Sequence, residues 1–417
     1  MIAFPFAFFL VLLVWSIKKK GFICSSTLLL FFYCIISFGA ILIDYYKVYS
    51  HICPYVNIQT DTGILYCTLL FVTMIPLFTY KEEKIVQITP LKSTKILDYV
   101  VYFYVISLFI MILLTYQDVF RNILLLQMVD NMKMRFRMGD EDIVTLKGFS
   151  LFLYNKWRFF GTASIYLCFY YFYSIVFQKK SWVYNTCVLI GSMSCIYDGM
   201  LHVDRSSTTY WMMYFFLCFV LFYRFMEKTT QKKMTWILGS FVLIVVLYMI
   251  FINNSRFTSG EGNDFLISYL GQSYINFATF YQKLHLTEFS LANNFPLINS
   301  LVSPEMTRDE WNLIVESQTG INTMVFSTFI GDMMAFIGTY YTILWVIGFF
   351  FISRILLKRK CTTTTTVHSL FLFSMLYSVV YLGIFATYFH YYNKELCALA
   401  MFMIFYSSRN KVIYKHA

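Results

Sequence analysis

Three arginines and one carboxylate of this 417-residue chain stand where long apolar runs end: Arg158, Arg205, Arg256 and Asp332. Arg205 lies in the run Asp204, Arg205, Ser206, Ser207, Thr208, directly before an apolar stretch. Hydroxyls in that position cap a helix N-terminus. The free N–H groups and the dipole of such a terminus favour an anion, so a cation beside it suits a phosphate. The plainer alternatives are an arginine snorkelling at a membrane interface or a pair with Asp204. Arg256 follows Asn253, Asn254 and Ser255, and Arg158 follows Lys156 and Trp157, so both also have the setting of interfacial anchors. Asp332 heads an apolar run, where it is either a base or a complement to the helix dipole. A helix through residues 198–205 would place Asp198, His202 and Arg205 on one face. His202 is then a candidate for acid–base chemistry or for holding substrate, with His285 and His390 as further histidines to weigh.

The elements that must position these groups are membrane spans. The chain is 59% hydrophobic and only 13% charged, about half the charge of an ordinary soluble domain, which excludes a soluble fold. About eleven runs of roughly 17 to 25 mostly apolar residues recur from end to end, too long and too little alternating for strands. The expectation is an all-α, polytopic integral membrane protein with about 11 transmembrane helices. The net charge of +11 does not point to nucleic acid, because the lysines and arginines sit in short clusters between apolar runs. Most of the ten cysteines lie inside those runs as small hydrophobes, and no CxxC pair or metal-ligand spacing occurs. No cofactor and no metal are expected.

Basic clusters mark alternate connections, at residues 18–20, 81–95, 179–180, 224–233, 354–360 and 409–415. By the positive-inside rule these face the cytoplasm, which places the N-terminus outside and the C-terminus inside. Counting about 20 residues outward from these anchors brings the three arginines and Asp332 to one depth at the outer face. The chain divides accordingly into helices 1–8 over residues 1–252, a large external loop over 253–332, and helices 9–11 over 333–417. Within the loop, apolar residues from Phe265 to Tyr281 recur at helical spacing, which predicts an amphipathic helix on the membrane surface as part of a folded, partly helical cap. Residues 362–366, all threonine, read as a polar connector.

No GxSxG, Walker A, HExxH or Rossmann fingerprint occurs in a suitable context. The first external loop carries only Asp44 and Asp61, too far apart for the acidic pair of a metal-dependent lipid-linked glycosyltransferase. In span number, in the large late loop and in three local patterns, the sequence resembles the bacterial oligosaccharide repeat-unit polymerases, the O-antigen polymerases of the Wzy type. Asp204-Arg205-Ser206-Ser207 is similar to the family's arginine–small-residue element at a helix start. Asn322-Thr323, then Ile330-Gly331-Asp332 and Phe336-Ile337-Gly338, resemble the family's Asn-x-x-Thr, Ile-Gly-Glu and Asn-Phe-Gly-x-x-Gly series, although Asp332 replaces the glutamate and Tyr341 stands where the second glycine would be.

The resemblance implies a polymerase or ligase architecture like that of the GT-C glycosyltransferases, in the bacterial cytoplasmic (inner) membrane. The implied reaction joins undecaprenyl-diphosphate-linked oligosaccharides into a surface polysaccharide at the outer face, without a metal. Arg205, Arg256 and Asp332 would be its catalytic residues, and Arg158, Asp204, His202 and Asn322 would contact substrate. Membrane lipids, a chain-length regulator and the flippase of the same pathway are the implied partners, and nucleic acid is not one. The rival readings are a lipid-linked oligosaccharide flippase or transporter, which should instead show internal pseudo-symmetry and charges near the midplane, and an O-antigen ligase, which differs only in its acceptor.

Overall fold

A computed structural model describes residues 1–48, 57–128, 142–202, 204, 206–240, 243, 262–284, 289–303, 307–323, 325–359 and 363–409. These are mostly helical. Five helical stretches among them, Ser25–Tyr46, Thr60–Lys84, Lys95–Leu125, Gly148–Gln178 and Thr328–Leu356, are long and apolar enough to cross a membrane. The chain forms two compact units, one of Met1–Thr89 with Asn263–Leu396 and the other of Pro90–Gly262 with Cys397–Ala417.

The first unit begins with α1 (Phe4–Lys20), α2 (Ser25–Tyr46) and α3 (Thr60–Thr79). α1 starts with Pro5 in its first turn and ends at Gly21, whose φ of 91° suits glycine, after three lysines that complement the C-terminal dipole. α1 and α2 pack as a hairpin that buries Ser16 against Thr27 through a 3.0 Å hydroxyl–hydroxyl bond, so the polar groups within these apolar helices find partners in one another.

A strand β1 (Gln87–Thr89) follows α3 and pairs in parallel with β2 (Thr364–Thr366), Ile88 opposite Thr365. The threonine run expected to be a mere connector is therefore partly a strand. Its β-branched side chains favour the extended backbone, and the carbonyl of Thr363 accepts from the N–H of Val86 at 2.8 Å. The side chain of Thr366 then caps the next helix by accepting from the N–H of Ser369.

In the second unit, α4 (Lys95–Met128) continues well beyond the apolar run that defined its span. α5 (Gly148–Gly161) likewise starts about one span-half before the expected boundary and passes through a 3₁₀ turn into α6 (Leu167–Tyr173), where every residue is buried. α7 (Trp182–Ser192), α8 (Ser194–Leu201) and α9 (Ser206–Phe222) complete the packing described here. Trp211 of α9 stacks on Phe215 and donates its indole N–H to Ser192 at 3.1 Å, which satisfies the one polar atom of a fully buried tryptophan.

The rest of the first unit consists of α10 (Gly262–Lys283), α11 (Pro296–Val302), α12 (Arg308–Thr319), α13 (Thr328–Leu356) and α14 (Val367–Leu382). The final helix, α15, covers Tyr392–Ser407. α10 is helical as its spacing predicts, but it does not lie on a surface, since residues 271 to 280 are all buried. Its polar positions find partners inside the unit: Asn276 donates to the carbonyl of Phe326 at 2.8 Å, and Gln282 donates to Thr62 at 2.9 Å. α12 opens on a capping box in which Thr307 and Glu310 exchange backbone and side-chain bonds, and it closes at Gly320 with φ 69°. α13 is broken at Gly338, whose φ of 75° with ψ of 169° is a conformation almost confined to glycine.

Candidate functional site

In the second unit, the last turn of α8 gathers the groups that could do chemistry. α8 stops at Leu201, so His202 is its C-cap and not a mid-helix residue. The stop has a visible cause: the buried amide of Asn122, on the extension of α4, donates to the carbonyl of Leu201 at 2.8 Å and to that of Ile143 at 2.9 Å. Asp118, one turn earlier, accepts from the backbone N–H and the hydroxyl of Thr145, and Arg121 binds the carbonyls of Asp142 and Ile143. The extension of α4 thus fixes both the segment entering α5 and the end of α8.

The carboxylate of Asp198 is the hub of this cluster. Nε of Arg158 stands 3.9 Å from it and Nδ1 of His202 stands 3.6 Å from it. The hydroxyl of Tyr154, on a buried ring, faces the same carboxylate. The Arg158 side chain is half exposed, so its pairing contributes at most about 1 kcal/mol and leaves the guanidinium open to a ligand. The indole N–H of Trp157, 3% exposed, and Nε2 of His202 are both buried without a hydrogen-bond partner among the described residues. Trp157 and Tyr197 meet edge to face at 6.1 Å beside them. Asp204 sits before α9 and accepts from both the N–H and the hydroxyl of Ser206. The start of α9 is therefore served by a carboxylate. Arg205 and Arg256 lie outside the described residues.

In the first unit, Asp332 is 1% exposed and both of its oxygens are engaged. The hydroxyl of Ser327 donates to one at 2.7 Å and the N–H of Thr387 to the other at 2.6 Å. Thr387 also donates its hydroxyl to Asn294 at 3.1 Å, and Nδ1–H of His390 donates to the carbonyl of Thr387 at 2.7 Å. Arg308, on the first turn of α12, acts electrostatically on both Asp332 and His390. Beside Asp332, Thr328 holds φ at 62°, a strained value for a β-branched residue of the kind found at functional sites. The same unit holds an apolar groove of about 190 Å³ lined by Phe289, Leu291, Phe295, Ile337, Tyr341 and Trp345. Asn322 is exposed, and its neighbour Thr323 binds Asn312 with both its N–H and its hydroxyl.

Burial, with the positive charges of Lys394 and Arg308 adding to it, pushes the His390 imidazole well below its ordinary value of 6.5, so it is neutral at pH 7. The unfolded chain takes up this proton as the pH falls through about 6.5 while the folded chain resists it. His390 therefore leaves stability intact above that pH and removes it progressively below. Thermal unfolding in detergent at pH 7.5 and pH 5.5 should show an acid-side loss that His390→Gln reduces; equal losses in both proteins would refute the assignment.

Of the residues singled out from sequence, Arg158, His202 and Asp204 fall in the second unit, the first two around Asp198, whereas Asp332 and Asn322 belong to the first unit. Sequence reasoning missed Asp118, Asn122 and Arg308. The capping box at Thr307 and Glu310 was a readable signal for the last, since it places Arg308 at a helix start. No protein-family model, curated protein or solved structure matches the chain.

Proposed function

We propose that this protein polymerises undecaprenyl-diphosphate-linked oligosaccharide repeat units at the outer face of the bacterial cytoplasmic membrane, using about eleven spans with the N-terminus outside. Two lines support this reading: the motif resemblance over residues 204–207 and 322–338, and the apolar helices that make the bilayer the chain's solvent. The observation that carries it is the cluster around Asp198. A guanidinium open to ligand, a histidine with a buried nitrogen unpartnered among the described residues, an indole donor and edge-to-face aromatic rings suit a ligand that is both anionic and rich in hydroxyls.

In this reading a sugar hydroxyl of one repeat attacks the anomeric carbon of another, a C–O bond forms, and the bond to the lipid diphosphate breaks. Arg158, with Arg205 and Arg256, neutralises the departing diphosphate as charge develops on it. Asp204 and His202 shape the site. Asp332, with both oxygens engaged, is assigned to holding the Thr387 segment in place.

Deletion of the gene, with the surface polysaccharide resolved by size and lipid-linked intermediates extracted in parallel, tests the reading. Single repeats on a normal anchor with loss of the long ladder are expected. Repeats trapped on the inner leaflet would instead mark a flippase, and full-length polymer left on lipid diphosphate would mark a ligase. Arg205→Ala should abolish polymer while the protein remains inserted and abundant, and Arg205→Lys should rescue poorly because it loses the planar fork. Full polymer from Arg205→Ala would remove that arginine from the mechanism.

A further inference from the structure

The site around Asp198 contains a histidine whose tautomer is fixed by its surroundings. Nδ1 of His202 lies 2.9 Å from the backbone carbonyl of Asp198. A carbonyl can only accept, so Nδ1 carries the proton and, in the neutral ring, Nε2 carries the lone pair. Nε2 is buried and has no hydrogen-bond partner among the described residues. A buried acceptor without a partner costs on the order of 1–3 kcal/mol, so the cluster is built for a donor from outside the chain. The carboxylate of Asp198, 3.6 Å from the ring, is placed to stabilise the imidazolium that would form on proton uptake.

The geometry points to His202 as the general base of the proposed polymerisation: the acceptor sugar's hydroxyl donates to Nε2 and passes its proton there as the oxygen bonds to the anomeric carbon. This assignment rests on the polymerase reading. The electron pair of the broken bond leaves with the lipid diphosphate, and the imidazolium returns its proton to solvent between turnovers. No other reactant is needed.

Among the described residues, the carboxylate of Asp198 links His202 to Arg158 and Tyr154 on α5.

The test uses the full-length protein in nanodiscs with lipid-diphosphate-linked repeat units extracted from its host, reading polymer formed over time. His202→Ala should lower the rate by roughly 10²- to 10⁴-fold. Substituted imidazoles added to the variant should restore rate in order of their basicity, a response that a packing role would not give. A variant within about threefold of wild type, or one whose lost activity no imidazole restores, overturns the assignment while leaving the polymerase reading intact. A wild-type protein that consumes no lipid-linked repeats overturns both.

Discussion

Gly271→Leu is expected to yield no folded protein. α2 and α10 cross where Gly39 meets Gly271, so closely that a Cβ at position 271 would lie 2.1 Å from the carbonyl carbon of Gly39 and 2.2 Å from its oxygen. A Cβ at Gly39 would in turn lie 2.7 Å from the carbonyl carbon of Leu270. These obstacles are backbone atoms, which cannot rotate away as a flexible side chain could. Small residues at such a crossing let apolar helices gain contact where no hydrophobic drive separates protein from lipid.

Overpacking by a single methylene already costs about 1–3 kcal/mol in a core that can shift its side chains. Against a total stability of roughly 5–15 kcal/mol, Gly271→Ala should lower the melting temperature by several degrees and Gly271→Leu should leave only aggregate on size exclusion in detergent. Gly239, with nothing within 4 Å of its added Cβ, is the control: Gly239→Ala should be neutral or slightly stabilising. A monodisperse Gly271→Leu protein with the wild-type melting temperature would refute the crossing.

The same helix shows where sequence and structure part. The helical spacing of α10 is visible in the chain, but its burial is not, because Asn276 and Gln282 read as a wet face until Phe326 and Thr62 are known to receive them. α4 gives a second case. Gln117, Asp118, Arg121 and Asn122 end its apolar run, so hydropathy closes the span there while the backbone continues as helix to Met128. The spacing of Asp118, Arg121 and Asn122 is helical, a local signal that a reading by hydropathy discards. Their partners, Thr145 and Leu201, lie 27 and 79 residues away, and no local pattern announces such contacts.

For the candidate site, the pairing of His202 with Asp198 was legible as an i, i+4 relation. The end of α8 at Leu201 was not, since it is fixed by Asn122. The apolar periodicity that located the spans carries no information on which polar residues meet between them.

Asp332→Ala is expected to destabilise the first unit strongly, and the reason distinguishes a positioning carboxylate from a catalytic one. Its removal leaves the buried N–H of Thr387 without an acceptor and frees Ser327, which in turn donates its own N–H to the carbonyl of Phe385. Each buried polar group left unpaired costs about 1–3 kcal/mol, more where charge is involved, and Arg308 loses the negative charge it faces. Asp332→Asn should be much milder, because its carbonyl can accept from Thr387 while its amide donates to the hydroxyl of Ser327, which accepts as readily as it donates. Melting in detergent should rank wild type, then Asn, then Ala, with the Ala variant lower by several degrees. In the proposed polymerase reaction, polymer formed per folded molecule should change little in Asp332→Asn. A variant that melts like wild type yet makes no polymer would reverse the assignment and put Asp332 in the chemistry.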